Sequence, residues 1–183
     1  GAGGEQPPLS DEPAPEAKPG QRTASVVNYE TVLESMVMQT GQMPSPNTLT
    51  RFQNRLGMLS ETGAVTTVNS STLQAIAGTA SDVCADLTAT EFNTATPVGS
   101  LRFFNSVVTR TGTATTQFTP TVTADVVRRM ARSFWQRNET TDELTLISTG
   151  IQEAITAQTN VSARNMGLYI CTAMLSTVSA IEL

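Results

Sequence analysis

The side chains that carry most enzyme chemistry are thinly supplied in this chain. Its 183 residues hold no histidine, two cysteines, sixteen carboxylates and eleven basic groups. Without histidine, Ser-His-Asp and Cys-His catalysis fall away, as do most catalytic zinc sites and ordinary haem ligation. The paired acids are Asp82 and Asp86, four residues apart on one face of a helical stretch, with Glu153 as a further general acid or base candidate. Glycoside hydrolysis asks for one carboxyl of raised pKa in a cleft with aromatic platforms. One Trp and two Tyr are a poor supply for that. No D-x-D-x-D-G loop exists for calcium, so neither a metal nor any other cofactor is expected.

Cys84 and Cys171 are far apart and lack the C-x-x-C spacing of redox or zinc sites. Two readings stay open for them. They are separate buried thiols, or a disulfide closing a loop of about 87 residues, which the chain-entropy model values at roughly 4–5 kcal/mol. One lysine in the whole chain and a surface rich in Thr and Ser resemble exported proteins, where disulfides persist.

Charge concentrates in one place, the basic run Arg128, Arg129, Arg132 and Arg137, with Trp135 at its edge as core residue or interface anchor. It reads either as a surface for an acidic partner or as a solvated helix face paired with nearby carboxylates. A net charge of -5 argues against nucleic acid. No apolar run approaches the ~18 residues of a membrane span.

The elements that must position these groups are helical. Val32, Leu33, Met36 and Val37 continue a three- and four-residue spacing that starts at Val26 and Val27, and Thr40-Gly41 stops it. A second helix opens near Asn47 with Leu49, Phe52, Leu56 and Leu59 inward. A third follows a cap at Asn69 or Ser70, with Leu73, Ile76, Ala80, Val83, Cys84 and Leu87 as its stripe. Residues 88–121 read as an irregular insertion with one short element or a two-stranded ribbon. Helicity returns at Thr123. Thr140 and Glu143 form a capping box for the next helix, and a final apolar helix from about Ser162 turns Met166, Tyr169, Ile170, Met174 and Thr177 inward. The seven methionines read as core filler.

Ahead of all this, residues 1–24 carry Pro7, Pro8, Pro13, Pro15 and Pro19 and four acids, too little apolar surface to offset chain entropy. The first residues look like the stretch behind the processed cysteine of a bacterial lipoprotein, small residues followed by an acidic, Pro-rich tether. Val127 through Leu144, with its arginine- and aromatic-rich helix and Thr/Asp/Glu helix start, and the apolar run Leu168 through Val178 resemble the helical segment of an uncharacterised bacterial domain. That domain occurs in large exported, often cytochrome-associated proteins. The likeness covers about a third of the chain and implies an exported bacterial helical domain; the haem-binding C-x-x-C-H is absent, so no redox role carries over.

The expectation is an all-α protein: a single bundle of five to six helices over 25–183 with an insertion at about 88–121, behind an extended tether, 1–24. The expected function is non-enzymatic, a structural or interaction subunit of an extracytoplasmic bacterial assembly such as a surface filament or envelope complex. Its partners are other protein chains in a homo- or hetero-oligomer, with membrane contact through a lipid anchor rather than a span. Pro7, Pro8, Pro13 and Pro15 belong to the tail that packs on a partner. The alternative is a module that binds an acidic partner through Arg128, Arg129, Arg132 and Trp135; an enzyme using Asp82, Asp86 or Glu153 comes last.

Overall fold

Helix ends fall where the chain supplies caps. In the computed structural model, which describes residues 29–63, 65, 69–158 and 160–181 (the side chains of 178–181 excepted), seven α-helices are joined by short irregular paths. The tether at 1–24, and Val26 and Val27 with it, lie outside the described residues. A 3-10 turn at Tyr29–Thr31 leads into α1 (Val32–Thr40), which ends on Gly41 in the left-handed region, φ 68°. The positive φ is what favours glycine at 41, and a Cβ there would also displace the Arg102 guanidinium, which donates to the Thr40 carbonyl. Ser45 caps α2 (Pro46–Glu61), with Pro46 in the first turn, where its missing N–H costs nothing. The Asn69 side chain accepts the Thr72 N–H and opens α3 (Ser70–Glu91).

A short helix α4 (Ala114–Gln117) precedes α5 (Pro120–Met130), capped by Thr119. α5 runs on into a π-helical turn, Ala131–Trp135, which closes at Gln136 with φ 54°. The capping box expected at Thr140 and Glu143 is present at the start of α6 (Thr141–Ala157). The last helix is α7 (Ala163–Ile181). α3 and α7 form the centre of the bundle and are joined by a disulfide between Cys84 and Cys171, both fully buried, with Cα atoms 5.8 Å apart. α1 and α2 pack on α3, the π turn touches α1 and α7, and α6 lies outermost against α5.

The irregular stretch is where the expectation needs correcting. α3 continues to Glu91 and α5 starts at Pro120, so the non-helical path is shorter than 88–121. It also sends side chains into the core: Phe92, Leu101, Phe103, Phe104, Val107 and Phe118 are all buried, while Val98 and Val108 stay in solvent. Phe92 packs tilted against Phe104, ring centroids 4.8 Å apart, and Phe103 likewise against Phe134 at 5.4 Å. Gly167 of α7 admits the first pair, since a Cβ there would press on both rings at 2.9 Å. The ribbon is absent from the described residues, where Thr113 and Ser162 make an isolated antiparallel bridge.

Several inward assignments also change. Leu49, Leu73 and Tyr169 are more than two-fifths exposed, and Thr177 is exposed. Met38, Met43 and Met58 stand in solvent, while Met36, Met130, Met166 and Met174 fill the core. The periodic stripes are wider than the faces the neighbouring helices cover, so residues at their margins stay out.

Candidate interaction surfaces

The carboxylates proposed for chemistry are tied into helix packing. Asp82 accepts from Arg51 Nη1 at 2.9 Å and from Arg55 Nη1 at 2.8 Å, both reaching across from α2. One turn on, Asp86 accepts the Ser45 N–H at 2.9 Å and the Thr48 hydroxyl at 2.7 Å, so it holds the start of α2 against α3. Glu153 is exposed on α6, and the structure does not bring it to the other two. Near this ladder the Tyr29 hydroxyl meets Thr79 Oγ1 at 2.8 Å, and burial pushes the phenol pKa up.

The arginines are likewise engaged, each by a partner close in sequence. Arg128 donates to Glu139 at 2.7 Å, Arg129 to Asp125 at 2.9 Å one turn back, and Arg132 to the Asn138 amide oxygen at 2.8 Å. Arg137 grips Glu143 through two bonds of 2.8 Å. That grip, helped by the backbone N–H of Thr140, holds the Glu143 carboxyl at about 2, and Glu143 raises the Arg137 pKa in return. Arg137 also lies 4.9 Å over the Trp135 ring. Trp135 is half-buried and donates its indole N–H to the Met174 carbonyl at 3.1 Å, so it bridges the π turn and α7. A hollow of about 240 Å³ opens beside it, with Leu146 and Tyr169 on its walls.

Glu91 is the residue that sequence reasoning missed. Its side chain is buried at the C-terminal end of α3, where Oε1 accepts the N–H groups of Phe103 and Phe104, both at 3.0 Å. Burial raises its pKa; the backbone donors and Arg102 offset part of that rise. Nothing local announces it, for its partners lie twelve and thirteen residues on, in a stretch without periodicity. The density of phenylalanine at 92–118 was the available signal that this stretch sends side chains into the core.

A second furrow, of about 500 Å³, runs between α1 and α2. Met38 and Met43, 77% and 74% exposed, stand along it with Pro44 and Phe52, and Glu30 and Glu34 edge it. Of the groups expected to bind a partner, then, Arg128, Arg129 and Arg132 are each held by a different residue of their own chain and Trp135 is covered by Arg137, whereas Pro7, Pro8, Pro13 and Pro15 lie outside the described residues. Cys84 and Cys171 are the bonded pair. A buried disulfide of this kind suits an oxidising compartment. No helix among the described residues is long and apolar enough to cross a membrane. No family model, curated protein or solved structure matches this chain.

Proposed function

We propose that this protein is a non-enzymatic structural subunit of an extracytoplasmic bacterial assembly, a surface filament or envelope complex, and that its N-terminal tail packs on a neighbouring chain. One observation carries the proposal. Asp82, Asp86 and the four arginines of the basic run are engaged within the bundle, while large apolar side chains, Met38, Met43, Leu146 and Tyr169, stand outside it. Exposed apolar surface gathered beside furrows is what association uses. The disulfide supports the oxidising location, and the Pro-rich composition of 1–24 supports a segment that loses little entropy on docking.

Capture of an acidic partner by Arg128, Arg129 and Arg132 is less favoured, because each guanidinium already holds an oxygen of its own chain. Deleting residues 2–22 tests the main proposal. Thermal unfolding of the isolated protein should stay within about a degree or two of the full chain, as small surface effects do, while incorporation into the native assembly weakens. Normal incorporation would leave the tail a spacer. The mass of the native assembly reports a lipid, the disulfide and the stoichiometry together.

A further inference from the structure

The furrow between α1 and α2 has an unusual combination of linings. Its floor and walls are apolar, with two flexible methionines and Phe52, and its charged residues, Glu30 and Glu34, are both acidic. Glu34 enters no ion pair among the described residues. Methionine-lined surfaces adapt to varied chains, and aromatic and apolar grooves suit polyproline-like ones. A fitting occupant is therefore extended, proline-bearing and basic.

The chain has such a segment outside the described residues. All four acids ahead of Tyr29 (Glu5, Asp11, Glu12 and Glu16) precede Lys18, and the basic groups there are Lys18 and Arg22, with Pro19 between them. Residues 17–25 are thus the basic part of an otherwise acidic tail. The point of entry decides whose tail fits. Tyr29 is fully buried, and its N–H is bonded to the Val65 carbonyl at 3.3 Å, so the chain is anchored at the Glu30 end of the furrow. From Glu30 to Met38 the furrow runs ~12 Å at 1.5 Å per helical residue. About four extended residues cover that distance at ~3.3 Å each. A chain laid in its own furrow would spend 25–28 there and carry Arg22 and Lys18 past the acids. The tail of another molecule has no such tether, and it can set its basic pair beside Glu30 and Glu34.

We propose that this furrow receives residues 17–25 of a second copy of the chain, with Lys18 and Arg22 drawn to Glu30 and Glu34 and the rest of the segment along the apolar floor at Met38 and Phe52. The proposal rests on the tail-packing function above and names the surface it uses. Each contact is weak, as exposed ion pairs are, and it gains strength when many copies are held in one assembly.

Charge reversal in the full chain tests it by sedimentation across protein concentration at low and moderate salt. Glu30→Lys with Glu34→Lys, or Lys18→Glu with Arg22→Glu, should each weaken self-association by roughly tenfold, about one decade per 1.4 kcal/mol. An equimolar mixture of the two variants should restore it, since each then offers the groove or tail the other needs. The tail variant lies outside the described fold, so it keeps the test valid even if the groove variant unfolds. Unchanged association in the tail variant overturns the inference. So does restoration only when all four reversals share one molecule, which would place the contact within the chain. Loss of incorporation on deleting 2–22, combined with unaltered association in the reversal variants, would overturn this furrow and leave the tail-packing function standing; normal incorporation of the deletion would sink that function itself.

Discussion

Glu91 and Glu143 both hold backbone N–H groups at the end of a helix, yet their surroundings drive them in opposite directions. Glu143 sits in the first turn of α6, where the helix dipole favours a negative charge, and Arg137 grips it from the solvent side. Its pKa falls to about 2. Glu91 sits in the last turn of α3, the wrong end for a carboxylate, and it is buried beneath the loop it fastens. Its pKa rises. The first glutamate completes a local motif. The second fastens the irregular path between α3 and α4 to the core, and the protein accepts an unfavourable charge position to do so. The difference predicts that loss of Glu91 is global and loss of Glu143 local.

The largest effect expected in this frame comes from the bond that fixes α3 itself. Replacing Cys84 and Cys171 together by alanine should lower stability by about 4 kcal/mol in the chain-entropy model for so long a loop. Denaturant unfolding measures the loss. Because Cys84 lies two turns before Glu91, amide exchange at Phe103 and Phe104 should quicken more than at Thr140 and Glu143. Equal acceleration at both places would show that the two glutamate regions are one cooperative unit.

Glu91→Ala comes next. It strands two buried N–H groups and leaves a void beside Phe92 and Phe104, at roughly 1–3 kcal/mol for an unsatisfied buried polar group before the void is added. Glu91→Gln keeps an acceptor oxygen for both donors and removes the buried charge, so its stability at neutral pH should match or exceed that of the parent. A glutamine variant as unstable as the alanine one would mean that the charge itself is needed at this site.

The pH dependence separates the two glutamates by sign. For Glu91 the folded pKa is raised above the ordinary 4.5, so the native state holds its proton more tightly than the unfolded chain. That contribution is fullest below 4.5 and is lost as pH climbs through the window between 4.5 and the raised value. For Glu143 the folded pKa is about 2, so its contribution is present above 4.5 and disappears as pH falls from there toward 2. Stability measured from pH 2 to 7 in Glu91→Gln should lose the decline above 4.5, and in Glu143→Gln the fall below it. A Glu91→Gln profile parallel to the parent above 4.5 would show that Glu91 is charged at its ordinary pKa.

How much of this could be read in the sequence follows the same division. Caps work over three or four residues, so Ser45, Asn69, Thr119 and the Thr140–Glu143 box lie within reach of local patterning, and the last of these was legible outright. The stripe of α3 placed Cys84 in the core and Cys171 lay near that of α7, although the bond between them follows from the packing of two helices far apart in sequence. Periodicity could not say which margin of a stripe is covered, which is why Leu73 and Tyr169 were misplaced. Nor could it show that Phe92, Leu101, Phe103, Phe104, Val107 and Phe118 are buried, because the stretch that carries them has no repeating angle to reveal a face. The roles of Asp82 and Asp86 were hidden for another reason: spacing shows that two acids share a side of a helix, and only the neighbouring helix shows that Arg51, Arg55, Ser45 and Thr48 meet them there.

The smallest effect is expected at the local motif. Glu143→Ala removes one half of the capping box and an ion pair whose partners are 30% and 36% exposed. Solvent screens that pair, so the cost is that of a cap and a surface contact together, about 1 kcal/mol. It should shrink further at high salt, which weakens the pair with Arg137 but leaves the Thr140 hydroxyl bonded to the residue 143 N–H. Arg137 would then lie over Trp135 without its carboxylate, and the indole fluorescence should shift while the Trp135 bond to Met174 persists. Amide exchange should speed up in the first turn of α6 and nowhere near Phe103. If Glu143→Ala instead loosened the 92–119 path, the apolar face of α6, buried Ile151 with half-buried Leu144, Ile147, Ala154 and Ile155 against the core, would have to transmit the loss, and the contrast between a local and a global glutamate would fail.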